Sequence, residues 1–191
     1  MIETTRPTGA ASPVNNCFIA GKAVLVLFFL CFMILYANAK DNTFNYLKNG
    51  VSFSIPGDWK TISDEALPDK GYYYSAESGA KKSTGLFSLV TINKEENPVK
   101  SLLFQQKAMM EGEIYKEAGI QFTAIESGKF GSMDGCKVKY ESVIKGIKVT
   151  GTIYCFNCSE KTYLLFLQTG YLDQKENEKV FKMIELTFAC R

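Results

Sequence analysis

The sequence predicts an α+β fold, an antiparallel β-sheet with helices packed on it. Three observations lead there. Several short segments alternate apolar and polar residues or are rich in aromatic and branched side chains, as strands are. Two other segments repeat apolar residues at three- and four-residue spacing, as amphipathic helices do. Two of the strand-like segments are separated only by Lys145-Gly146, the length of a tight hairpin turn between antiparallel strands.

The first 39 of the 191 residues stand apart from that pattern. Residues 1–16 are polar, carry Pro7 and Pro13, and read as a disordered leader. Lys22 then precedes an apolar run from Ala23 to Tyr36, followed by Ala37-Asn38-Ala39. A positive charge, a short hydrophobic stretch and small residues two apart make a secretory signal, with the predicted cut between Ala39 and Lys40. As a helix the run spans about 21 Å, short of the roughly 30 Å of a bilayer core. If Cys17 to Gly21 join it, residues 17–36 instead form a retained anchor, and membrane contact is then expected through this segment alone. Residues 40–191 are expected to form a single domain.

Within that domain, Val51, Phe53 and Ile55 alternate with small polar residues and stop at Pro56-Gly57, so they share the buried face of a strand. Trp59, the only tryptophan, reads as a core plug beside it. Residues 71–76 and 86–92 read as two strands, and in the Tyr72-Tyr73-Tyr74 cluster the middle ring faces away from its neighbours. Asn97-Pro98 opens a helix whose expected apolar face is Val99, Leu102, Leu103, Gln106 and Met110, running to Gly119.

Residues 121–127 are expected as a strand. In the hairpin that follows, a turn at Lys145-Gly146 opposes Ile144 to Ile147, Tyr140 to Gly151, Val138 to Ile153 and Cys136 to Cys155. Lys137, Lys139, Glu141, Lys148, Thr150 and Thr152 then fall on the other, solvated face. Residues 162–169 are apolar almost throughout, as in a central strand. A closing helix carries Val180, Phe181, Ile184 and Phe188 on one side. Asp173 and Glu176 stand in capping-box spacing, and Glu178 and Lys182 in ion-pair spacing.

The strand ending in Ile55-Pro56-Gly57-Asp58-Trp59, the aromatic strands, the Asn97-Pro98 helix, the later strands and the closing helix resemble, in this order, the PsbP/Mog1/DcrB-like superfamily. The likeness covers about residues 44–189. Its most specific pieces are Phe53-x-Ile55-Pro56-x-x-Trp59 and Gly85-Leu86-Phe87-Ser88. The resemblance implies an α/β/α sandwich. That superfamily includes photosystem accessory subunits, a Ran-binding protein and bacterial envelope proteins, so it implies architecture more than activity. An exported copy looks nearest to the envelope branch, and no functional residue carries over.

Composition narrows the chemistry. The chain contains no histidine, which removes Ser-His-Asp and Cys-His systems and histidine-bearing zinc sites. Glu3, Arg6 and Lys22 leave with the leader, so the formal charge of +2 falls to near neutral, and no run of like charge remains to hold nucleic acid. No phosphate loop or dinucleotide fingerprint is present, and no cofactor is expected. Ser78-Gly79-Ala80-Lys81 has the spacing of a Ser-Lys dyad but lies in a polar loop. Asp64, Glu65 and Asp69, in the expected loop after Trp59, are hard oxygen donors without the calcium-loop pattern.

Of 6 cysteines, Cys136, Cys155, Cys158 and Cys190 belong to the domain. In an exported protein they read first as disulfides. The hairpin register places Cys136 beside Cys155, which leaves Cys158 for Cys190. A four-thiolate zinc site is the competing reading, and thiol catalysis at Cys155-Phe156-Asn157-Cys158 a third, although that motif sits at a strand end where no helix lowers a thiol pKa. The expected function is an exported, non-enzymatic accessory module for another envelope protein, with metal or thiol chemistry at the acidic loop or the cysteines as the alternative.

Overall fold

The computed structural model describes residues 43–67, 71–80 and 83–191. Strands β1 (Thr43–Lys48) and β2 (Val51–Pro56) and the short β11 (Ala189–Cys190) form a small antiparallel sheet in the order β1-β2-β11. The large sheet contains β3 (Lys60–Leu67), β4 (Gly71–Glu77), β5 (Leu86–Ile92), β6 (Gln121–Phe122), β8 (Met133–Ile144), β9 (Ile147–Cys158) and β10 (Lys161–Gly170). Its order is β3-β4-β5-β10-β9-β8-β6, and β7 (Glu126–Phe130) also pairs with β8. Helices α1 (Pro98–Glu111), α2 (Glu113–Ala118) and α3 (Gln174–Thr187) complete the fold, with one turn of 3-10 helix, Tyr171–Asp173, leading into α3.

Alternation along the central strands sorts the core into two layers. On β9, Ile153 and Cys155 face a cluster with Leu102 and Met109 of α1, whereas Phe156, between β8 and β10, faces Phe181, Ile184 and Phe188 at the end of the chain. Strand β10 divides in the same way, Leu164 to one side and Tyr163 and Leu165 to the other. Helices α1 and α2 therefore cover one face, and α3 with the small sheet covers the other. The fold is α+β, as expected.

The hairpin register is as predicted, from Ile144 opposite Ile147 to Cys136 opposite Cys155. Lys145 and Gly146 both take positive φ, 50° and 79°, the twist that matches two antiparallel strands. Gly151 is small because the Tyr140 ring lies across it: a Cβ there would sit 2.3 Å from Tyr140 Cζ. Val51, Phe53, Ile55 and Trp59 are all buried, and Tyr73 turns away from Tyr72 and Tyr74 toward Ser88.

Several expectations are corrected. Residues 60–67 are an edge strand, not a loop; their polar sequence hides the period because an edge strand buries little of either face. The expected strand at 121–127 is split into β6 and β7, with residues 123–125 between them. The first helix breaks at Gly112, and its buried positions are Ser101, Leu102 and Met109; Val99, Leu103 and Met110 are exposed. The small Ser101 is buried and its hydroxyl donates to Glu96 Oε2 at 3.2 Å, so the covered face of the helix is centred on Ser101 and Leu102 and not on the predicted Leu103. Glu178 accepts from Gln174 and Lys182 pairs with Glu185, in place of the expected pair with each other. The junction of Ala39 and Lys40 and the whole segment 17–36 lie outside the described residues. Among the described residues no helix is long and apolar enough to cross a membrane.

Candidate functional site

On the face shared with α3, the sheet runs out of apolar side chains before it runs out of strands. Phe181 packs α3 over β10 near Leu167, but farther out the same face presents Thr169, Thr152, Thr150 and Lys148. The gap left between α3 and the outer face of the hairpin is an open trough of about 690 Å³, within the usual size of ligand sites. Its floor is the face that the hairpin register assigned to solvent.

The trough's charges are largely balanced within it. Lys148 Nζ lies 2.9 Å from Glu141 Oε2 across the hairpin, and Lys182 Nζ 2.9 Å from Glu185 Oε2 along α3. Gln174 Nε2 donates to Glu178 Oε1 at 2.7 Å. Lys139 has no ion-pair partner among the described residues, so it presents a free cation to the opening. Rings from Tyr154, Phe181 and Tyr171 supply apolar contact, and Tyr171 is well exposed at one end. Such a surface suits a polar segment with some apolar contact. It holds no imidazole, and Glu141 and Glu185 each already engage a lysine.

Asp173 fixes the end of the trough nearest Tyr171. It stands at the N-cap of α3, yet its carboxylate does not cap that helix. It reaches across to residues 83–84 and accepts from Ser83 Oγ at 2.6 Å, Thr84 N and Thr84 Oγ1 at 2.7 Å each, and Asn177 Nδ2 at 2.9 Å. Thr84 Oγ1 in turn accepts from Gly170 N, and the buried Asn177 also donates to Thr169 Oγ1 at 2.8 Å. The capping-box expectation for Asp173 and Glu176 is thereby corrected: three donors on residues 83–84 and the Asn177 side chain hold the carboxylate in place of the helix's own N–H groups.

Burial alone would raise the Asp173 carboxyl, but the bonds from Ser83, Thr84 and Asn177 outweigh it and hold the pKa below the usual value. A depressed folded pKa stabilises the protein above the unfolded value near 3.9, and that stability is lost as pH falls through the folded pKa. Asp173→Asn turns an amide N–H toward donors that then lack an acceptor. It is expected to cost about 2–3 kcal/mol at pH 7. Urea titrations at several pH values should show the gap between variant and wild type constant above about pH 5 and closing below about pH 3.

The sequence-predicted acidic group does not assemble. Asp64 and Glu65 are neighbours on β3, so they point to opposite faces. Asp64 takes the Lys48 ammonium and the Tyr72 hydroxyl, and although burial alone would raise its carboxyl, those two partners hold it below the usual value. Glu65 accepts from Ser63 Oγ at 2.8 Å. Asp69 lies outside the described residues, as does Lys81 of the Ser-Lys spacing. Among the described residues no group of three or more acidic or cysteine side chains is placed to hold a metal.

Cys158 is bridged to Cys190, with Cα atoms 6.4 Å apart. This joins the end of β9 to β11 and removes two of the four thiolates that a zinc site would use. The expected second bridge is not formed: Cys136 and Cys155 are free thiols. The reason lies in which rung they occupy. Thr123 N donates to Lys139 O at 2.9 Å, and Lys139 N donates to Thr123 Oγ1 at 3.1 Å, so Lys139 turns its backbone away from β9. Backbone direction alternates along a strand, so Cys136, three residues earlier, turns toward β9 and forms a hydrogen-bonded rung with Cys155. Facing Cβ atoms on such a rung are about 5.5 Å apart, beyond the roughly 3.5–4.5 Å of a disulfide.

The trough itself was missed from sequence. The row Lys148, Thr150, Thr152 opposite Lys139 and Glu141 was visible, but nothing local says that α3 stops short of covering it.

No protein-family model matches the chain, and no curated protein matches it. Solved structures do. The solution structure of cyanobacterial PsbP (CyanoP) from Synechocystis sp. PCC 6803 matches 79% of this chain and 94% of its own, with a TM-score of 0.58 at 10% identity. A protein from Bacteroides thetaiotaomicron VPI-5482 matches 78% of this chain and 49% of its own, with a TM-score of 0.50 at 15% identity. LpqN of Mycobacterium tuberculosis, described as involved in cell envelope biogenesis, matches 77% and 89% with a TM-score of 0.48 at 12% identity. The fold is PsbP-like.

Proposed function

We propose that this chain is an exported, non-enzymatic binding module of PsbP-like fold whose trough takes a polar segment of another protein of the cell envelope. The trough carries the reading. It is large enough to receive a peptide segment, mixed in charge, edged by exposed Tyr171, and without an imidazole. Export is supported by the Lys22, Ala23–Tyr36 and Ala37-Asn38-Ala39 pattern. No nucleic-acid partner is part of the proposal.

The test is a photo-crosslinking residue at Thr152, on the trough floor, in cells making the full chain. A discrete protein adduct is expected that is absent when the probe stands at Glu113, on the first turn of α2. Identical adducts from both positions, or none from Thr152, would remove the proposal. Stoichiometric zinc in the purified protein, released by a thiol oxidant, would replace it with the metal reading. N-terminal sequencing separates the two forms of export: a chain starting at Lys40 is cleaved, and one retaining residues 17–36 is anchored.

A further inference from the structure

The thiols of Cys136 and Cys155 are used by neither the trough nor the established disulfide. They face each other across β8 and β9, on the side of the sheet covered by α1. Cys155 is fully buried in the cluster with Leu102 and Met109, whereas Cys136 is only half-buried, on a rung where β7 places the exposed Ser127. One thiol is thus reachable from outside and the other waits behind it. We infer that Cys136 and Cys155 form an oxidant-responsive dithiol, closed by disulfide-donating reagents into a bridge that opens more readily than Cys158–Cys190.

The step balances as thiol–disulfide exchange. The Cys136 thiolate attacks one sulfur of the donor disulfide, and the other donor sulfur leaves as a thiol with the proton from Cys136. Cys155 then loses its proton and attacks the Cys136 sulfur, and the second donor thiol leaves. Two electrons and two protons pass to the donor. Burial pushes the Cys155 thiol up to about 12, with Cys136 adding to the rise, so the second attack is the slow one and the mixed disulfide on Cys136 accumulates. Closure must draw the Cβ atoms inward on a hydrogen-bonded rung and shift Cys155 from its packing in the cluster with Leu102 and Met109. A bridge made against such resistance is more oxidising than a relaxed one.

The experiment equilibrates the full chain in glutathione buffers of graded ratio, quenches with acid, alkylates and maps both pairs by mass. Cys158–Cys190 is expected to stay closed throughout the range in which Cys136–Cys155 passes from open to closed. Their equilibrium constants should differ at least about tenfold, roughly 30 mV for two electrons. Glutathione should be found on Cys136 and not on Cys155, and Cys136→Ser should abolish both the adduct and the closure. Hydrogen exchange in α1 should rise on closure, as Cys155 shifts in the cluster it shares with Leu102 and Met109. Bridges that open together overturn the inference. So does a Cys136–Cys155 bridge that outlasts Cys158–Cys190, or one that never closes in excess oxidised glutathione while both thiols alkylate after unfolding. The wild-type measurements need no variant.

Discussion

Phe53→Ala is expected to remove about 3–5 kcal/mol of stability, the cost of emptying a large aromatic site in a packed core. Phe53 is 2% exposed. Its ring stacks on Tyr46 at 4.6 Å, meets Phe87 edge-on at 5.1 Å and Tyr74 at 5.7 Å, and lies 6.1 Å from Phe188. These four partners come from β1, β5, β4 and the residue after α3, so one side chain joins the small sheet, the large sheet and the closing helix. The lost energy includes the apolar transfer and the edge-to-face contacts, about 0.5–1.5 kcal/mol per aromatic pair. Domains of this size are stable by only about 5–15 kcal/mol, so the variant is expected near the limit of folding at 37 °C. Urea unfolding followed by Trp59 fluorescence measures it. Phe44→Ala is the contrast: Phe44 is 49% exposed on β1, and its loss should stay within about 0.5 kcal/mol. A Phe53 variant as stable as the Phe44 variant would mean that the two sheets do not share this core.

The same comparison shows what the sequence carried. Phe53 was legible because a buried strand with one wet face repeats at two residues, and the hairpin because Lys145-Gly146 permits only one short register. Strand β3 was not legible, since an edge strand bonded on one side needs no apolar face. The rotation of α1 was not legible either: the buried neighbour of Leu102 is a serine, whose hydroxyl is taken up by Glu96, and a serine adds nothing to an apolar period. Asp173 was correctly read as standing at a helix start, but four donors at Ser83, Thr84 and Asn177 decide its role. The cysteines were legible in both respects. Their opposition at Cys136 and Cys155 follows from counting residues, and so does the type of rung: a two-residue turn makes Ile144 and Ile147 a hydrogen-bonded pair, and every second pair from there to Cys136 and Cys155 is of the same kind.

Opening the Cys158–Cys190 bridge is expected to cost about 3–4 kcal/mol. The two cysteines are 32 residues apart, and in the chain-entropy model a loop of that length loses about this much freedom in the unfolded state. For a domain near 150 residues the loss lowers Tm by roughly 6–16 °C. The folded state adds a local effect. Cys190 lies on β11 opposite Val51, Arg191 N donates to Gly50 O at 2.8 Å, and Ser159 Oγ donates to Arg191 O at 3.3 Å. The bridge therefore secures a two-residue strand too short to hold the small sheet by itself, and β11 should be the first element to open when it is cut. Cys190→Ser and mild reduction should agree in urea midpoint, and both should steepen the urea dependence, because an uncrosslinked unfolded chain exposes more surface. Cys136→Ser should leave the effect of reduction unchanged. Equal stability with and without reductant, in protein shown by mass to contain the bridge, would mean that the small sheet is held by Phe53 and its neighbours alone. In that case the aromatic cluster, and not the covalent link, joins the two sheets.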